Sequence, residues 1–365
     1  MAKPDEPSLH VLLAGGGTGG HVFPALAVAE ELAARGHRVS FVGLETGMEA
    51  RLVAERGLPF NALPALPMVG RGLVGRTKSL ATLAGSAREA SRLIRRIGAG
   101  VILGTGGYVS APAVVGGRLA GRPVLLLEPN ARAGVANRWL SRWATGAAVG
   151  YLDTINDLKC PCWVTGVPVR AAFFDVPQEP PAGAPRLLVL GGSQGAQQIN
   201  QAMPAAAAAL IGKLPGLRIL HQAGAKNLEA AREGYANAGV GAPHVEVVPF
   251  LDDVAGAMAG SHLLVSRAGA ITLAEICAAG RAALLLPLSI AQGHQMDNAR
   301  LLAEEGAAEV IPSGELTPER LAGRLRDLLS DLPNLARMGR TARSLARRRA
   351  VADIADRLEI LGGVR

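Results

Sequence analysis

One segment of this chain occurs twice in similar form, and it constrains the fold more than any other feature. Residues 9–32 read LHVLLAGGGTGGHVFPALAVAEEL, and residues 186–210 read RLLVLGGSQGAQQINQAMPAAAAAL. Both consist of a short apolar run, a glycine-rich loop and a helical stretch, the order of strand, tight turn and helix with which a Rossmann-like domain begins. The repeat therefore predicts an α/β protein of two Rossmann-like domains that face each other across a cleft.

Short apolar runs alternate with helical or glycine-rich stretches along the rest of the chain, which predicts parallel sheets with crossover helices. The predicted strands are Leu9–Leu13, Val39–Val42, Val101–Leu103, Val124–Leu127, Ala147–Val149, Arg186–Leu190, Arg218–His221, Val245–Val248, Leu263–Val265, Ala283–Leu286 and Ala308–Ile311. A segment with four prolines, Val176–Pro185, resembles a linker. We predict a first domain at 1–170, a second at 171–345, and a final helix at 346–365 that returns to the first domain.

The composition favours a layered α/β enzyme, because the chain has 46 glycines and only 3% aromatic residues. Its net charge of +8 is concentrated in two stretches. Residues 70–100 and 336–349 each carry a net +6, and the remainder of the chain carries −4. This charge indicates an anionic partner, which leaves a nucleotide, a nucleic acid or a phospholipid surface open.

The cysteines and the apolar segments indicate in which cellular compartment the protein is expected. Cys160, Cys162 and Cys277 are too few for a disulfide framework, and Cys-Pro-Cys lacks the ligand spacing of a zinc site. The N-terminus has no apolar signal core, and no run reaches about 18 uninterrupted apolar residues. We therefore expect a cytosolic protein with inert thiols, whose contact with any membrane is peripheral.

The first glycine loop suits an anion or a sugar hydroxyl. It contains Gly15-x-Gly17-x-x-Gly20, the dinucleotide fingerprint, and Glu45 follows the second strand where a ribose-binding acid would lie, so a dehydrogenase is one alternative. The loop also leaves backbone N–H groups free at a helix N-terminus. His21 comes directly after the loop, at the mouth of the expected cleft, and is a candidate general base.

Two further loops are expected at the same edge of the first sheet. Residues 104–110 read GTGGYVS, and Glu128-Pro129-Asn130 follows the next strand. Ligands of open α/β sheets bind beyond the carboxyl ends of the strands. Thr105, Tyr108 and Asn130 are therefore candidates for binding an acceptor, and turn formation is the alternative.

The second half contains a strand, a turn at Gly269 and a helix with Glu275 one turn beyond its start. The helix N-terminus offers N–H groups and partial positive charge to a phosphate, and Glu275 can accept both hydroxyls of a ribose. His294 and Gln295 begin another helix and offer donors to a sugar or phosphate. The adjacent pair Asp252-Asp253 lacks the D-x-D spacing that chelates a metal beneath a nucleotide sugar, which favours a reaction without a metal ion.

Four motifs in this order resemble one family. They are GGGTGGHVFPALAVAEEL at 15–32, GTGGYVSAPA at 104–113, GGSQGAQQIN at 191–200 and SRAGAITLAEICAAGRAALLLPL at 266–288. Over nearly its whole length the chain is similar to the bacterial UDP-N-acetylglucosamine:N-acetylmuramyl-(pentapeptide) pyrophosphoryl-undecaprenol N-acetylglucosamine transferases, which complete the lipid-linked peptidoglycan precursor. The resemblance implies the GT-B fold and inverting transfer of N-acetylglucosamine (GlcNAc) from UDP-GlcNAc to the 4-hydroxyl of the lipid-linked muramyl-pentapeptide, lipid I. It also implies no cofactor and a place on the cytoplasmic face of the bacterial plasma membrane.

Residue roles follow from the resemblance by motif matching. His21 would deprotonate the acceptor, Arg170 and Ser193 would bind the diphosphate, and Glu275 would hold the ribose. The full set implied to contact the donor is Thr18, Gly19, Gly20, Asn130, Arg170, Ser193, Leu251, Ala270, Ile271, Thr272, Leu273, Ala274, Glu275, His294 and Gln295. The chain departs from the family at Leu127-Glu128-Pro129-Asn130, where His-Glu-Gln-Asn is common, and at His294, where some relatives have glutamine.

A basic amphipathic stretch is expected to meet the membrane. Within 80–97 the apolar residues share one helical face, and arginines share another. The segment just upstream mixes apolar residues with glycine and arginine. The predicted membrane patch comprises Leu73, Val74, Arg76, Arg88 and Arg92, and each basic residue near an anionic bilayer adds about 1 kcal/mol. An ordinary solvated helix face is the alternative.

Three other functional classes explain less of the sequence. A dehydrogenase leaves the second glycine loop and the Glu275 helix without a purpose, and a sugar-nucleotide epimerase of the same architecture would not need a lipid-facing patch. A nucleic-acid-binding module would have few stacking platforms, because only 3% of the residues are aromatic. The oligomeric state, the peptide of the acceptor, the extent of domain closure and the role of the Arg-rich tail at 337–349 stay open.

Overall fold

The structure is a computed structural model that describes residues 8–66, 73–192, 195–288 and 294–365, without the side chains of 73–78. Its strands are β1 (His10–Ala14), β2 (Arg38–Gly43), β3 (Phe60–Ala62), β4 (Val101–Gly104), β5 (Val124–Glu128), β6 (Gly146–Val149), β7 (Cys162–Val164), β8 (Arg186–Leu190), β9 (Arg218–Gln222), β10 (Val245–Val248), β11 (Leu263–Ser266), β12 (Ala282–Leu285) and β13 (Ala308–Val310). Its α-helices are α1 (Gly19–Ala34), α2 (Met48–Ala54), α3 (Leu73–Ile97), α4 (Gly107–Leu119), α5 (Val135–Leu140), α6 (Gln197–Ile211), α7 (Leu228–Asn237), α8 (Val254–Ala259), α9 (Ala270–Ala279), α10 (His294–Glu304), α11 (Pro318–Leu329), α12 (Leu332–Leu345) and α13 (Ala350–Gly362).

The first sheet is parallel and has the strand order β3-β2-β1-β4-β5-β6-β7. Its central strands read as continuous apolar runs because helices cover both faces of the sheet, so that every residue of β1 and β5 is buried. Helices α1 and α13 pack on one face, and α3 and α4 pack on the other. The glycine loops after β1 and β4 and the Glu128 loop after β5 lie at the carboxyl ends of neighbouring strands, as predicted.

The second sheet is also parallel, with the order β10-β9-β8-β11-β12-β13. Its core contains apolar residues of β8 and β11, together with buried side chains of α6, α11 and α12. The loop after β8 and the loop between β11 and α9 lie at the carboxyl ends of adjacent strands. This geometry gathers the second glycine loop and the start of α9 at one edge of the sheet.

The chain divides into two compact units. The first runs through Val169 and also includes 347–365, and the second spans Arg170–Ala346. Helix α13 lies in the first unit, where Arg35 of α1 pairs with Asp356 at 2.7 Å and with Glu359 at 3.0 Å. The sequence boundaries of 170/171 and 345/346 differ from these limits by one residue, which assigns Arg170 to the second unit.

The predicted strands all correspond to observed strands within one or two residues, and two further strands were not predicted. β3 and β7 are both three residues long and lie at the two edges of the first sheet. Such short segments carry too little alternation to be recognised from sequence. In the part of the chain that is described, no helix combines the length and the apolar character needed to cross a bilayer.

Candidate active site

A buried carboxylate, not singled out by the sequence patterns, organises the first glycine loop. Glu49, in the first turn of α2, is 0% exposed, and its oxygens accept hydrogen bonds from the N–H groups of Gly17 (3.2 Å) and Leu44 (2.9 Å). A Cβ atom at Gly16 would overlap this carboxylate. The Glu49 carboxylate accepts from an N–H group of the loop that a dinucleotide pyrophosphate would use. Glu45, which would bind the ribose of a dinucleotide, is exposed. Both observations disfavour dinucleotide binding by this loop.

The imidazole of His21 lies in a niche formed by two glycine loops. His21 is in the first turn of α1, and its Nδ1 is 3.2 Å from Oγ1 of Thr18, the N-cap residue. A Cβ atom at Gly106 would lie 3.3 Å from the His21 ring, and one at Gly107 would lie 3.2 Å from it. Both glycines also have positive φ angles, 91° and 71°. Glycine at these two positions therefore lets the chain turn and leaves room for the ring.

The environment of His21 keeps its imidazole neutral at pH 7. Burial lowers the pKa of His21 below its usual value of 6.5, and the charges of Glu128 and Glu49 and the carbonyl of Gly16 oppose this effect. A neutral imidazole can accept a proton, and the two carboxylates stabilise the imidazolium that results. This combination suits a general base.

Glu128 ties the loop after β5 to α5. Its Oε1 accepts from the backbone N–H (3.0 Å) and the side-chain amide (2.9 Å) of Asn130. Its Oε2 accepts from the N–H of Gly134 (2.8 Å) and from the Asn137 amide (3.0 Å). The buried Oδ1 of Asn137 is without a hydrogen-bond partner among the described residues. Asn137 was not predicted as a site residue. The only sequence signal for it is a polar residue on the buried side of a short helix.

The residues predicted to bind the acceptor differ in exposure. Thr105 is 1% exposed, and its hydroxyl donates to the carbonyl oxygen of His21 at 2.8 Å. This hydroxyl therefore supports the turn that carries His21, and the acceptor role of Thr105 stays a prediction. Tyr108 is partly exposed and borders the first loop, where its Cε1 would lie 4.0 Å from a Cβ atom at Gly17. Its acceptor role stays a prediction.

The start of α1 leaves three predicted donor contacts accessible. Thr18 is exposed, and Gly19 and Gly20 are partly exposed.

In the second unit, the loop after β8 contacts the end of β9, where the N–H of Gly191 donates to the carbonyl of Gln222 at 3.0 Å. Ser193, the predicted diphosphate contact in this loop, lies outside the described residues.

Helix α9 carries the acid predicted to hold a ribose. Glu275 lies in its second turn with 16% of its side chain exposed, and its Oε1 is 3.7 Å from Nη2 of Arg170. Burial raises the pKa of Glu275 to about 7, and the Arg170 charge acts in the opposite direction. The N-cap is Gly269, which has no side chain to bond the first-turn N–H groups, so these can meet an anionic ligand.

The predicted donor contacts on α9 and in the loop after β10 differ in how far their side chains are exposed. Ile271, Thr272 and Ala274 are partly exposed, as is Leu251, whereas Ala270 is buried. Leu273 is 0% exposed and lies in the core between α9 and the sheet. The 3.6-residue period of the helix turns this side chain inward, and the role of Leu273 as a donor contact stays a prediction.

The first turns of α10 lie beside the loop that leads into α9. Oε1 of Gln295 accepts from the N–H of Leu288 at 3.0 Å, and the Asn298 amide donates to the carbonyl of Ala268 at 3.2 Å. His294 is one helical turn before Asn298 and so lies on the same face. Both of its ring nitrogens are buried without a partner among the described residues. The Gln295 oxygen is thus used within the protein, and the His294 ring retains its hydrogen-bonding capacity.

The predicted membrane patch is described only in part. Leu73, Val74 and Arg76 fall among the residues whose side chains lie outside the description. Arg88 and Arg92 are exposed on α3. The apolar face of the same helix is largely buried against the core of the first unit, with Leu80 exposed by 47%. Most of this face therefore packs inside the protein.

The domain families decide the class of protein. Residues 11–149 match the glycosyltransferase family 28 N-terminal domain, and residues 186–358 match the glycosyltransferase family 28 C-terminal domain. This chain belongs to glycosyltransferase family 28. The dehydrogenase and nucleic-acid-binding alternatives are thereby excluded, and the GT-B fold predicted from the sequence is confirmed.

Individual relatives of this family 28 glycosyltransferase match it over nearly their full length. The UDP-N-acetylglucosamine--N-acetylmuramyl-(pentapeptide) pyrophosphoryl-undecaprenol N-acetylglucosamine transferase of Halorhodospira halophila is 44% identical over 343 residues, which cover 92% of this chain and 94% of the relative. The protein of the same name from Syntrophotalea carbinolica is 42% identical over 355 residues, which cover 96% and 97%. The crystal structure of Acinetobacter baumannii MurG superposes with a TM-score of 0.80 at 32% identity, covering 97% of this chain and 100% of that one.

Proposed function

We propose that this glycosyltransferase moves GlcNAc from UDP-GlcNAc to the 4-hydroxyl of lipid I, forming lipid II and UDP with inversion at the anomeric carbon. In a single displacement the acceptor oxygen bonds to that carbon while the bond to the UDP oxygen breaks, and the hydroxyl proton passes to His21. The names of relatives at 42–44% identity support the substrates. The proposed mechanism rests on the niche that encloses the His21 imidazole.

The proposed base is neutral before the reaction and stabilised after it. Burial keeps the pKa of His21 below 6.5, so that the imidazole can accept a proton at pH 7. The nearby charges of Glu128 and Glu49 then stabilise the imidazolium. A positioned general base contributes about 10²–10⁴-fold to the rate.

The proposed contacts to the nucleotide part of the donor lie in the second unit. The Glu275 carboxylate accepts the ribose hydroxyls, and Arg170 lies beside it with its positive charge near the diphosphate. The first-turn N–H groups of α9 face the negative charge that develops on the departing UDP, where a helix N-terminus contributes about 0.3–2 kcal/mol.

We also propose that the transfer needs no metal ion. Asp253, one of the two adjacent acids in the loop before α8, caps that helix by accepting from the N–H of Gly256 at 2.8 Å. Its carboxylate therefore already has a structural role, and the positive charge at the α9 N-terminus takes the place of a cation at the diphosphate.

Transfer of radiolabelled GlcNAc from UDP-GlcNAc to a short-chain lipid I tests this function. We expect labelled lipid II with and without EDTA, and no product from an otherwise identical acceptor that lacks the 4-hydroxyl. Release of UDP without labelled acceptor would contradict the acceptor assignment. Activity that EDTA abolishes and Mg²⁺ restores would contradict metal independence.

Membrane association is the remaining part of the proposal, and α5 adds a surface that the sequence patterns did not point to. Val135, Arg138, Trp139 and Arg142 recur at helical spacing and, with Lys159, line a cavity of about 310 Å³. Among the described residues, no acceptor lies within hydrogen-bonding distance of these three cations, and the nearby Trp143 and Leu152 are exposed. Cations beside exposed apolar side chains suit an anionic bilayer, where Arg88 and Arg92 of α3 in the same layer would add to the attraction.

Binding to vesicles that contain phosphatidylglycerol tests this surface. We expect Arg138→Glu with Arg142→Glu to weaken binding by at least about 30-fold, since each basic residue near the bilayer contributes about 1 kcal/mol. The pair Arg300→Glu and Arg320→Glu makes the same change of charge in the second unit and should bind nearly as wild type. Equal losses in both pairs would show that net charge alone governs binding and would refute the surface.

A further inference from the structure

The Arg-rich tail contains one arginine whose guanidinium is enclosed by backbone carbonyls. Arg343 of α12 donates through Nη2 to the carbonyl of Phe174 at 2.7 Å and through Nη1 to that of Phe173 at 3.4 Å. The same Nη1 donates to the carbonyl of Ala278, in the last turn of α9. Arg343 therefore joins the segment that begins the second unit to the C-terminal end of α9, where a positive charge also complements the helix dipole.

A fully buried arginine makes the same connection slightly further along the chain. Arg281, fully buried just after α9, donates through Nη1 to the carbonyl of Gln178 (3.2 Å) and to those of Ala279 and Gly280 (both 3.2 Å). Residues 173–178, which we call the linker segment, are thus held on the end of α9 by two guanidinium groups. A guanidinium has five N–H donors in a rigid planar fork and so holds several carbonyls in one fixed arrangement, whereas an ammonium group has three donors that rotate.

The linker segment also supports the arginine beside Glu275. Arg170 lies directly upstream, with its guanidinium over the Phe173 ring at 5.0 Å and its Nη2 3.7 Å from Oε1 of Glu275. The 3₁₀ helix Ala171–Phe173 packs on α9 between these points. A continuous set of contacts therefore runs from Arg343 through Phe173 and Arg170 to the carboxylate in the middle of α9.

We propose that Arg343 is a positioning residue for nucleotide binding, because it holds the linker segment on α9 and thereby keeps the Arg170 guanidinium beside the Glu275 carboxylate. This inference rests on the proposed donor site. It gives the otherwise unassigned Arg-rich tail one functional member. Its neighbour Arg340 instead makes an exposed ion pair at 3.8 Å with Glu179, the residue after the linker segment, and provides a matched control on the same helix.

The charge near Glu275 provides a readout that a purely structural role would not change. Helix α9 is packed by α8, α10, α12 and the 3₁₀ helix. The titratable and charged side chains that these elements bring are Asp253 at the cap of α8, His294, Asp297, Arg300 and Glu304 on α10, Asp331 at the cap of α12, Arg337, Arg340 and Arg343 on α12, and Arg170. Among the described residues, Arg170 is the group within ion-pair distance of Glu275, and it lowers the pKa that burial raises.

Calorimetric titration of UDP between pH 5.5 and 8.5 tests the proposal on wild type, Arg343→Met and Arg340→Met. Arg170 lowers the pKa of Glu275, so losing this contact should raise that pKa and move the pH midpoint of UDP binding upward in Arg343→Met. At pH 7 the Kd should increase several-fold, because a smaller fraction of Glu275 is ionised. Arg340→Met should keep the wild-type Kd and midpoint. An unchanged midpoint in Arg343→Met would overturn the proposal.

Two further variants keep the test decisive. If Arg343→Met does not fold, Phe173→Leu removes the ring beneath Arg170 while leaving the backbone carbonyls in place, and the same upward shift of the midpoint is expected. Glu275→Gln separates this inference from the proposed function. Wild-type UDP affinity in Glu275→Gln refutes the donor site itself, whereas a loss there together with wild-type behaviour of Arg343→Met and Phe173→Leu refutes only the positioning role.

Discussion

Replacing Glu49 with glutamine tests whether one buried carboxylate holds the first glycine loop. Glu49 is fully buried, and its two oxygens accept separate hydrogen bonds from the N–H groups of Gly17 and Leu44. Glutamine keeps the size of the side chain but replaces one acceptor oxygen with an NH₂ group. One backbone N–H group then loses its acceptor, and the other exchanges a charged acceptor for a neutral one.

The size of the effect follows from these two bonds. A hydrogen bond to a charged group contributes about 1.5–3 kcal/mol, and leaving a buried N–H group without an acceptor costs about 1–3 kcal/mol. We therefore expect Glu49→Gln to lower the free energy of unfolding by about 3 kcal/mol. Because the Glu49 charge raises the pKa of His21, the same change should also lower that pKa.

Urea unfolding followed by circular dichroism measures the first effect, with Glu45→Gln as the control. Glu45 lies in the turn before α2, is exposed, and undergoes the same change of charge. UDP affinity should stay at its wild-type value in both variants, since Glu275 and α9 belong to the second unit. If Glu49→Gln unfolds at the same urea concentration as Glu45→Gln, the argument that this carboxylate holds the loop is refuted.

Three other perturbations test separate parts of the site. Gly106→Ala should reduce turnover and leave UDP affinity intact, because its Cβ would lie 3.3 Å from the His21 ring. The control Gly121→Ala has a similar positive φ and nothing within 4 Å, so it should retain turnover. Equal losses of turnover in both variants would contradict the claim that these glycines leave room for the His21 ring. UDP binding should weaken as the pH falls through about 7, because burial raises the pKa of Glu275 to about 7 and the ionised form accepts the ribose hydroxyls. A constant Kd between pH 6 and 8 would exclude Glu275 as the group that binds the ribose. Arg281→Met should lower the free energy of unfolding by about 3–5 kcal/mol, since it leaves the buried carbonyls of Ala279 and Gly280 without this donor, and an unchanged urea midpoint would show that these bonds contribute little.

Much of the fold could be predicted because its signals are local. The strand–loop–helix segment repeats at 9–32 and 186–210, and β1, β4 and β8 are apolar runs that end at glycines. β3 and β7 could not be predicted, because three-residue strands at the edges of a sheet are fixed by pairing with β2 and β6. The final helix was predicted at 346–365, and the structure has it as α13, Ala350–Gly362.

The site was predictable where a loop itself carries the chemistry, as at His21. Sequence reasoning missed Glu49 and Arg343, because their importance comes from contacts with residues distant in the chain. Arg343, for example, reaches carbonyls about 170 residues upstream. Thr105 and Leu273 match motifs as well as their neighbours do, and only the burial of their side chains shows that they face inward.

The central claim is that His21 acts as a neutral general base. The pH dependence of kcat/KM for GlcNAc transfer to a short-chain lipid I, compared between wild type and His21→Ala, tests it most directly. We predict a wild-type profile whose acidic limb lies below pH 6.5, because burial lowers the pKa of His21. In His21→Ala the rate should fall by at least about 100-fold and that limb should disappear, with UDP affinity unchanged. A variant that keeps both the rate and the acidic limb of the wild type would contradict the account.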